Sequence, residues 1–154
     1  LARERNVKLV TQSLLDRLCD MEPWPTTREA SKELFARSLK RDVEWLLNTR
    51  RPIVHGVEAY QETSMSVLCF GLEDARMFDV SAGRSTELMV AVLRECIENY
   101  EPRILSPRVS HVPTDPLNRS MRFHVEGLVR YEDEEEMIQL DTVLQLVSGE
   151  YEVD

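Results

Sequence analysis

The dipeptide Glu101-Pro102 limits this chain more than any other feature, because whatever helix precedes it must end there. Proline has no backbone N–H, and its ring pushes the residue before it out of helical geometry. Upstream, Leu88, Val92, Cys96 and Tyr100 recur every four residues, with Met89, Leu93 and Ile97 as the neighbouring column. This is the broad apolar stripe of a core-facing helix over residues 86–100, with Arg94, Glu95 and Glu98 on the other face. Downstream the apolar period changes to two. Glu101 and Arg103, opposite in charge, are therefore fixed at a rigid helix-to-strand junction.

The chain ahead of that helix reads as helical too. Val10, Leu14, Leu15 and Leu18 predict a short helix over residues 7–19, flanked by Asp16, Arg17 and Asp20. Glu22-Pro23-Trp24-Pro25 breaks it. Residues 1–25 are expected to be a helical arm hinged there, and residues 26–154 a single α+β domain. Thr26 and Glu29 match a capping box for a second helix reaching about residue 50, with Leu34, Phe35, Leu39, Val43, Leu46 and Leu47 on one face. It closes at Asn48-Thr49-Arg50-Arg51-Pro52, where cations suit a helix C-terminus and the proline blocks extension. Residues 66–72 form an apolar run that fits either a buried strand or an extended loop. Ser85 is placed to cap the long helix.

After the junction, residues 108–112 predict a strand, and 113–118 a turn-rich stretch. Phe123, Val125, Gly127 and Val129 alternate with polar neighbours, as do Ile138, Leu140, Thr142, Leu144 and Leu146. The two runs predict an antiparallel hairpin with an acidic tip at residues 132–136. Residues 148–153 follow as a turn and an extended tail. Helices first and strands last give an α+β fold: N-terminal helices and a long central helix packed on a small mixed or antiparallel sheet ending in a β-hairpin.

Composition narrows the function classes. A length of 154 residues suits one domain, and 42% apolar with 31% charged residues suits a folded chain. No run of about 18 apolar residues is present, so no membrane insertion is expected. Residues 1–8 lack the apolar segment of a signal peptide; a first residue other than Met is expected of a piece of a longer parent. Cys19, Cys69 and Cys96, odd in number and widely spaced, suit reduced thiols in a cytosol. A net charge of −9 argues against nucleic acid as a partner.

Catalytic signals are sparse. His55, His111 and His124 have no close ligand spacing, and there is no nucleophile elbow, phosphate-binding glycine loop or Cys-x-x-Cys. The acidic run lacks the alternating ligands of a calcium loop, so neither metal nor cofactor is expected. Glu101 as a glycosidase acid needs a second carboxylate across a cleft. Two uses remain open to Glu101 and Arg103, an internal salt bridge or a contact facing another protein. The second is the expectation adopted.

A family resemblance supports it. The quoted segments are Ser13-Leu14-Leu15-Asp16-Arg17-Leu18, Leu39-Lys40-Arg41-Asp42-Val43-Glu44-Trp45-Leu46-Leu47-Asn48-Thr49-Arg50-Arg51, Phe70-Gly71-Leu72-Glu73-Asp74 and Tyr100-Glu101-Pro102-Arg103. Leu140-Asp141-Thr142-Val143-Leu144 and Ser148-Gly149-Glu150 follow. In this order they resemble the TssE family of type VI secretion baseplate subunits, among the phage baseplate wedge proteins historically labelled lysozyme-like. The chain departs from that pattern over residues 51–64 and at Leu140, where an aromatic is more usual. The resemblance implies a non-enzymatic structural protein, similar in fold to the interlocking domain of the contractile sheath. It would sit in the bacterial cytoplasm, at the inner face of the envelope, where the baseplate meets the first sheath ring. Glu101, Pro102 and Arg103 would contact a wedge core of TssF and TssG, with Arg50 and Arg51 as further partner-binding residues. The hairpin and the tail, with Tyr151 and Val153, would seed a TssB/TssC sheath by strand addition. The alternatives are a peptidoglycan-cleaving lysozyme-like enzyme and an anti-adaptor regulator of proteolysis sharing the fold.

Overall fold

The principal helix, α2 (Arg28–Asn48), buries Phe35, Leu39, Val43, Leu46 and Leu47 along one face, as the apolar period predicts. In the computed structural model, which describes residues 9–19, 24–73, 83–114, 120–131, 134–146 and 148–154, its N-cap is Thr27. The Thr27 hydroxyl accepts from the Ala30 amide at 3.2 Å. The cap thus lies one residue beyond Thr26, and the third helical position holds Ala30, whose side chain cannot complete a capping box.

The first helix is shorter than expected. α1 spans Leu14–Leu18 and is capped by Ser13, whose hydroxyl accepts from the Asp16 amide at 3.2 Å. Before it, the Val10 amide donates to Ser31 Oγ at 3.0 Å, and the Gln12 side chain donates to the carbonyls of Val10 and Ser31 at 2.9 and 3.0 Å. These bonds commit residues 10–12 to α2 and delay the helix. Val7 lies outside the described residues. Leu14, Leu15 and Leu18 are 69%, 42% and 74% exposed, whereas Asp16 is buried. Of the predicted apolar side, the three leucines therefore face outward and only Val10 is buried.

Residues 66–72 form neither a buried strand nor an extended loop, but belong to a longer irregular segment, residues 51–73. That segment holds a 3-10 turn (Val57–Ala59), a one-turn helix α3 (Gln61–Ser64) and a second 3-10 turn (Val67–Cys69), with Val67 largely exposed. The segment returns to the end of α2: the Leu72 amide donates to Thr49 O at 2.9 Å, and the Arg51 amide to Leu72 O at 2.8 Å. Gly71 makes the return possible. Its φ is +98°, and a Cβ there would stand 2.2 Å from the Thr49 carbonyl oxygen.

The long helix α4 (Gly83–Tyr100) begins before residue 86, so Ser85 lies inside it and is not its cap. Met89, Leu93, Cys96 and Ile97 are buried, while Leu88 is 52% exposed. The core stripe is centred on the second predicted column.

Strands β1 (Ile104–Val112), β2 (Ser120–Tyr131), β3 (Glu134–Gln145) and β4 (Glu150–Val153) form one sheet in the order β1-β2-β3-β4, every neighbouring pair antiparallel. The fold is thus α+β as expected; among the described residues the only parallel pairing is the isolated bridge between Arg50 and Leu72. β1 starts earlier than residue 108, through a register shift between Leu105 and Arg108 that carries Ser106 at φ +52° and Pro107. Phe123, Val125, Val129, Leu140, Leu144, Tyr151 and Val153 form the buried face. Phe35 of α2 meets Tyr131 edge-on at 5.3 Å, and the Tyr151 hydroxyl reaches Met89 Sδ of α4 at 3.4 Å. At the hairpin tip Glu132 and Asp133 lie outside the described residues. Glu134 pairs with Arg28 at 2.9 Å, and Lys32 pairs with Glu134 and Glu136, so the tip is tied to α2.

Gly71→Ala is expected to lose roughly 2–4 kcal/mol of stability, because strain at positive φ adds to a backbone clash that no rotamer relieves. A urea unfolding curve with the wild-type midpoint would contradict this account of the turn.

Candidate functional site

The junction after α4 is built from backbone outward. The Glu101 amide closes the last helical turn on Ile97 O at 2.8 Å, and the Ile104 amide donates to Glu101 O at 3.1 Å as β1 begins. Pro102 is exposed at the apex, and Glu101 turns inward to 5% exposure. Its carboxylate accepts a fork from Arg103: Nε to Oε1 at 2.7 Å and Nη2 to Oε2 at 2.5 Å. The Arg103 amide adds a bond to Oε1 at 3.2 Å. Such a fork both orients and strengthens a charge-assisted pair.

Arg103 then reaches α2. Its Nη2 donates to Asp42 Oδ2 at 2.8 Å and Nη1 to Ser38 Oγ at 3.4 Å, and its guanidinium lies 5.8 Å from the Phe35 ring centre. On the other side of Asp42, Arg41 Nε and Nη2 donate to Oδ1 at 3.0 and 2.7 Å, and Arg41 Nη1 donates to Asp16 Oδ1 at 2.5 Å. Asp16, Arg41, Asp42, Arg103 and Glu101 thus alternate in charge and join α1, α2 and the junction. Burial alone would raise the Asp16 pKa, but hydrogen bonds from Arg41, Ser13 and Ser38 outweigh it and bring it down to about 2. Burial likewise opposes the charge on Arg103, and the bonds it donates to Glu101 and Asp42 override it, raising its pKa.

Exposed apolar groups surround this network. Arg41 lies over the Trp45 ring at 4.9 Å, with Trp45 53% exposed, and α1 presents Leu14 and Leu18 to solvent. Large apolar side chains open to water next to a rigid polar network are the ordinary composition of a protein-binding surface.

The other predicted partner residues lie apart from the junction. Arg50 bonds the Gly149 carbonyl, and Arg51 pairs with Glu73 at 2.6 Å. Tyr151 and Val153 are each 2% exposed, so their side chains belong to the core while β4 stays in the sheet. Asp16, Ser38, Arg41 and Asp42 were not singled out from sequence as site residues, nor were Trp45, Leu14 and Leu18. Trp45 carries a usable signal, because it falls off the apolar face of α2. The inward Asp16 has none, since its partner is 25 residues away.

A cavity of about 330 Å³ lies elsewhere, between residues 51–73 and α4, with Val57, Met65, Cys69, Val92 and Tyr100 in its wall. Cys96 borders it, its thiol pushed up to about 12 chiefly by burial, so it is a packed side chain and not a reactive one. Among the described residues no three His, Cys, Asp or Glu side chains are placed to hold a metal ion. Nor, among them, is any helix long and apolar enough to cross a membrane.

Helices thus cover one face of an antiparallel sheet, with charges satisfied at the junction and apolar groups exposed beside it. The family model described as "Baseplate wedge protein gp25" matches residues 34–134, from within α2 to the start of β3. The chain belongs to this baseplate wedge family, and a structural role in a baseplate comes with that membership. No curated protein matches the chain.

Two outcomes test the network. Arg103→Ala leaves the buried Glu101 without its fork and is expected to cost about 2–4 kcal/mol in urea denaturation; a loss below about 1 kcal/mol would mean the pair is not a staple. Asp16 has a folded pKa below its ordinary 3.8, so its contribution, about 2 kcal/mol, is present above pH 4 and lost as pH falls toward 2. Asp16→Asn should remove that part of the acid dependence, read as the difference between the two proteins' stabilities at pH 7 and pH 2.5.

Proposed function

We propose that this chain is a structural component of a type VI secretion baseplate, linking the wedge core to the first sheath ring and helping to initiate sheath assembly. The observation that carries the reading is the α1–α2–junction surface, where a rigid charge network sits beside exposed Leu14, Leu18 and Trp45. Family membership supports the baseplate part. The proposed partners on this surface are TssF and TssG, at the cytoplasmic side of a bacterial envelope. With both Glu101 oxygens engaged by Arg103, the exposed Pro102 and Trp45 make the contact, and Glu101 and the part-buried Arg103 hold their geometry.

The sheath contact, with TssB and TssC as proposed partners, is strand addition to a free edge of the sheet. The side chains of Tyr151 and Val153 would act by holding β4 in place, and Arg50 by holding the turn before it at Gly149. A non-enzymatic role accords with the burial of Glu101, since a carboxyl 5% exposed and held by a guanidinium offers no access to a glycan.

Co-purification with TssF and TssG tests the reading. Trp45→Ala and Leu18→Glu alter exposed positions, so circular dichroism should stay unchanged while binding falls at least about tenfold, as for an interface hot spot. Failure of the folded wild type to bind either protein would overturn the assignment. Full binding by both variants would move the contact off this surface.

A further inference from the structure

The two edges of the sheet are not equivalent. Asp141 and Asp154 exchange backbone hydrogen bonds at 3.0 and 2.7 Å, which sets the alternation along β4: Glu150, Glu152 and Asp154 turn their peptide groups toward β3, and Tyr151 and Val153 turn theirs outward. Three of those four outward groups are occupied. The Tyr151 amide donates to Asn48 Oδ1 at 2.9 Å, and Asn48 Nδ2 donates to the Tyr151 carbonyl at 2.8 Å. The Val153 amide donates to Glu44 Oε2 at 3.4 Å. A carboxamide has the same donor and acceptor pair as a peptide group, so Asn48 stands where a fifth strand would.

At the other edge the same alternation, carried through β3 and β2 by the register, turns Val109 and His111 of β1 outward. No described residue bonds their outward backbone groups. Pro107, with no N–H to offer, blunts only the start of that edge. The edges also carry opposite charge. Arg108 on β1, across from Glu126 in the register, and Arg122 on β2, across from Val112, are exposed on one sheet face and form no ion pair among the described residues. Glu150 and Glu152 on β4 are exposed on the same sheet face, as the row Arg122, Val143, Glu152 establishes. Asp154 joins them while also reaching Lys40 at 3.3 Å.

We propose that Asn48 and Glu44 close the β4 edge against the β1 edge of a second copy of this chain. Without them the basic β1 edge of one molecule pairs with the acidic β4 edge of the next. That contact is heterologous and does not close on itself, so it grows into open oligomers. With them, β1 is left as the receptive edge.

Hydrogen exchange on the unaltered protein is the first test. The Tyr151 amide should exchange at least about tenfold more slowly than those of Val109 and His111, although all three belong to edge strands. Equal rates would overturn the proposal. In sedimentation velocity the wild type should be monomeric and Asn48→Ala should form oligomers that grow with concentration. Val109→Pro, which removes an outward β1 donor, should return Asn48→Ala to monomer at the same concentration. A folded Asn48→Ala that stays monomeric, a wild type that already forms such oligomers, or no rescue by Val109→Pro would each refute it. If Asn48→Ala does not fold, the exchange rates alone decide.

Discussion

The buried carboxylate of Glu101 is the constraint around which the rest is arranged. A charge taken out of water is tolerated only when paired and hydrogen-bonded. Pro102 ends α4 beside it, and Arg103, two residues on, supplies the fork. Arg103 in turn needs Asp42 and Ser38, which places α2 across the junction at a fixed rotation. Asp42 shares Arg41, and Arg41 holds Asp16 of α1. Each group is satisfied only because the next is present, so the helix ends and β1 are located together.

α2 is the element that distributes this order. Its apolar face lies on the sheet through Phe35 and Tyr131. One flank carries Ser38, Arg41 and Asp42 to the junction, and another carries Glu44 and Asn48 to β4. Its first turns hold the hairpin tip through Arg28 and Lys32, and its end receives residues 70–72 at the glycine turn. A single helix thus fixes the junction, the tip and one edge of the sheet. Motion of the charged surface relative to the β-edges would require α2 itself to shift.

This arrangement separates positioning from contact. Charges that look partner-facing in the sequence are spent inside the molecule, on one another. The groups left open to water beside them are apolar: Leu14 and Leu18 on α1 and Trp45 on α2. A satisfied network costs little to cover further, whereas exposed leucine and tryptophan gain by leaving water. In the proposed contact the apolar groups would carry affinity, and the network angle.

The sequence by itself determined the α+β class, the two long helices, the β2–β3 hairpin and the abrupt junction at Pro102. These rest on local rules, an apolar period or a missing amide, that act over a few residues. The baseplate wedge family was likewise legible, through spaced motifs. Only the tertiary structure decided that residues 10–12 bond to Ser31 rather than start a helix, and that Asp16, not the leucines, faces inward. The same holds for the N-cap at Thr27 and for residues 66–72, which take 3-10 geometry and return to α2 because Gly71 permits close approach to Thr49. From the sequence, Glu101 and Arg103 read as facing another protein; their internal fork and its contacts on α2 were not legible, for the same physical reason. Their other partners, Ser38 and Asp42, stand about sixty residues away, and no local periodicity records which charge a folded chain brings opposite another.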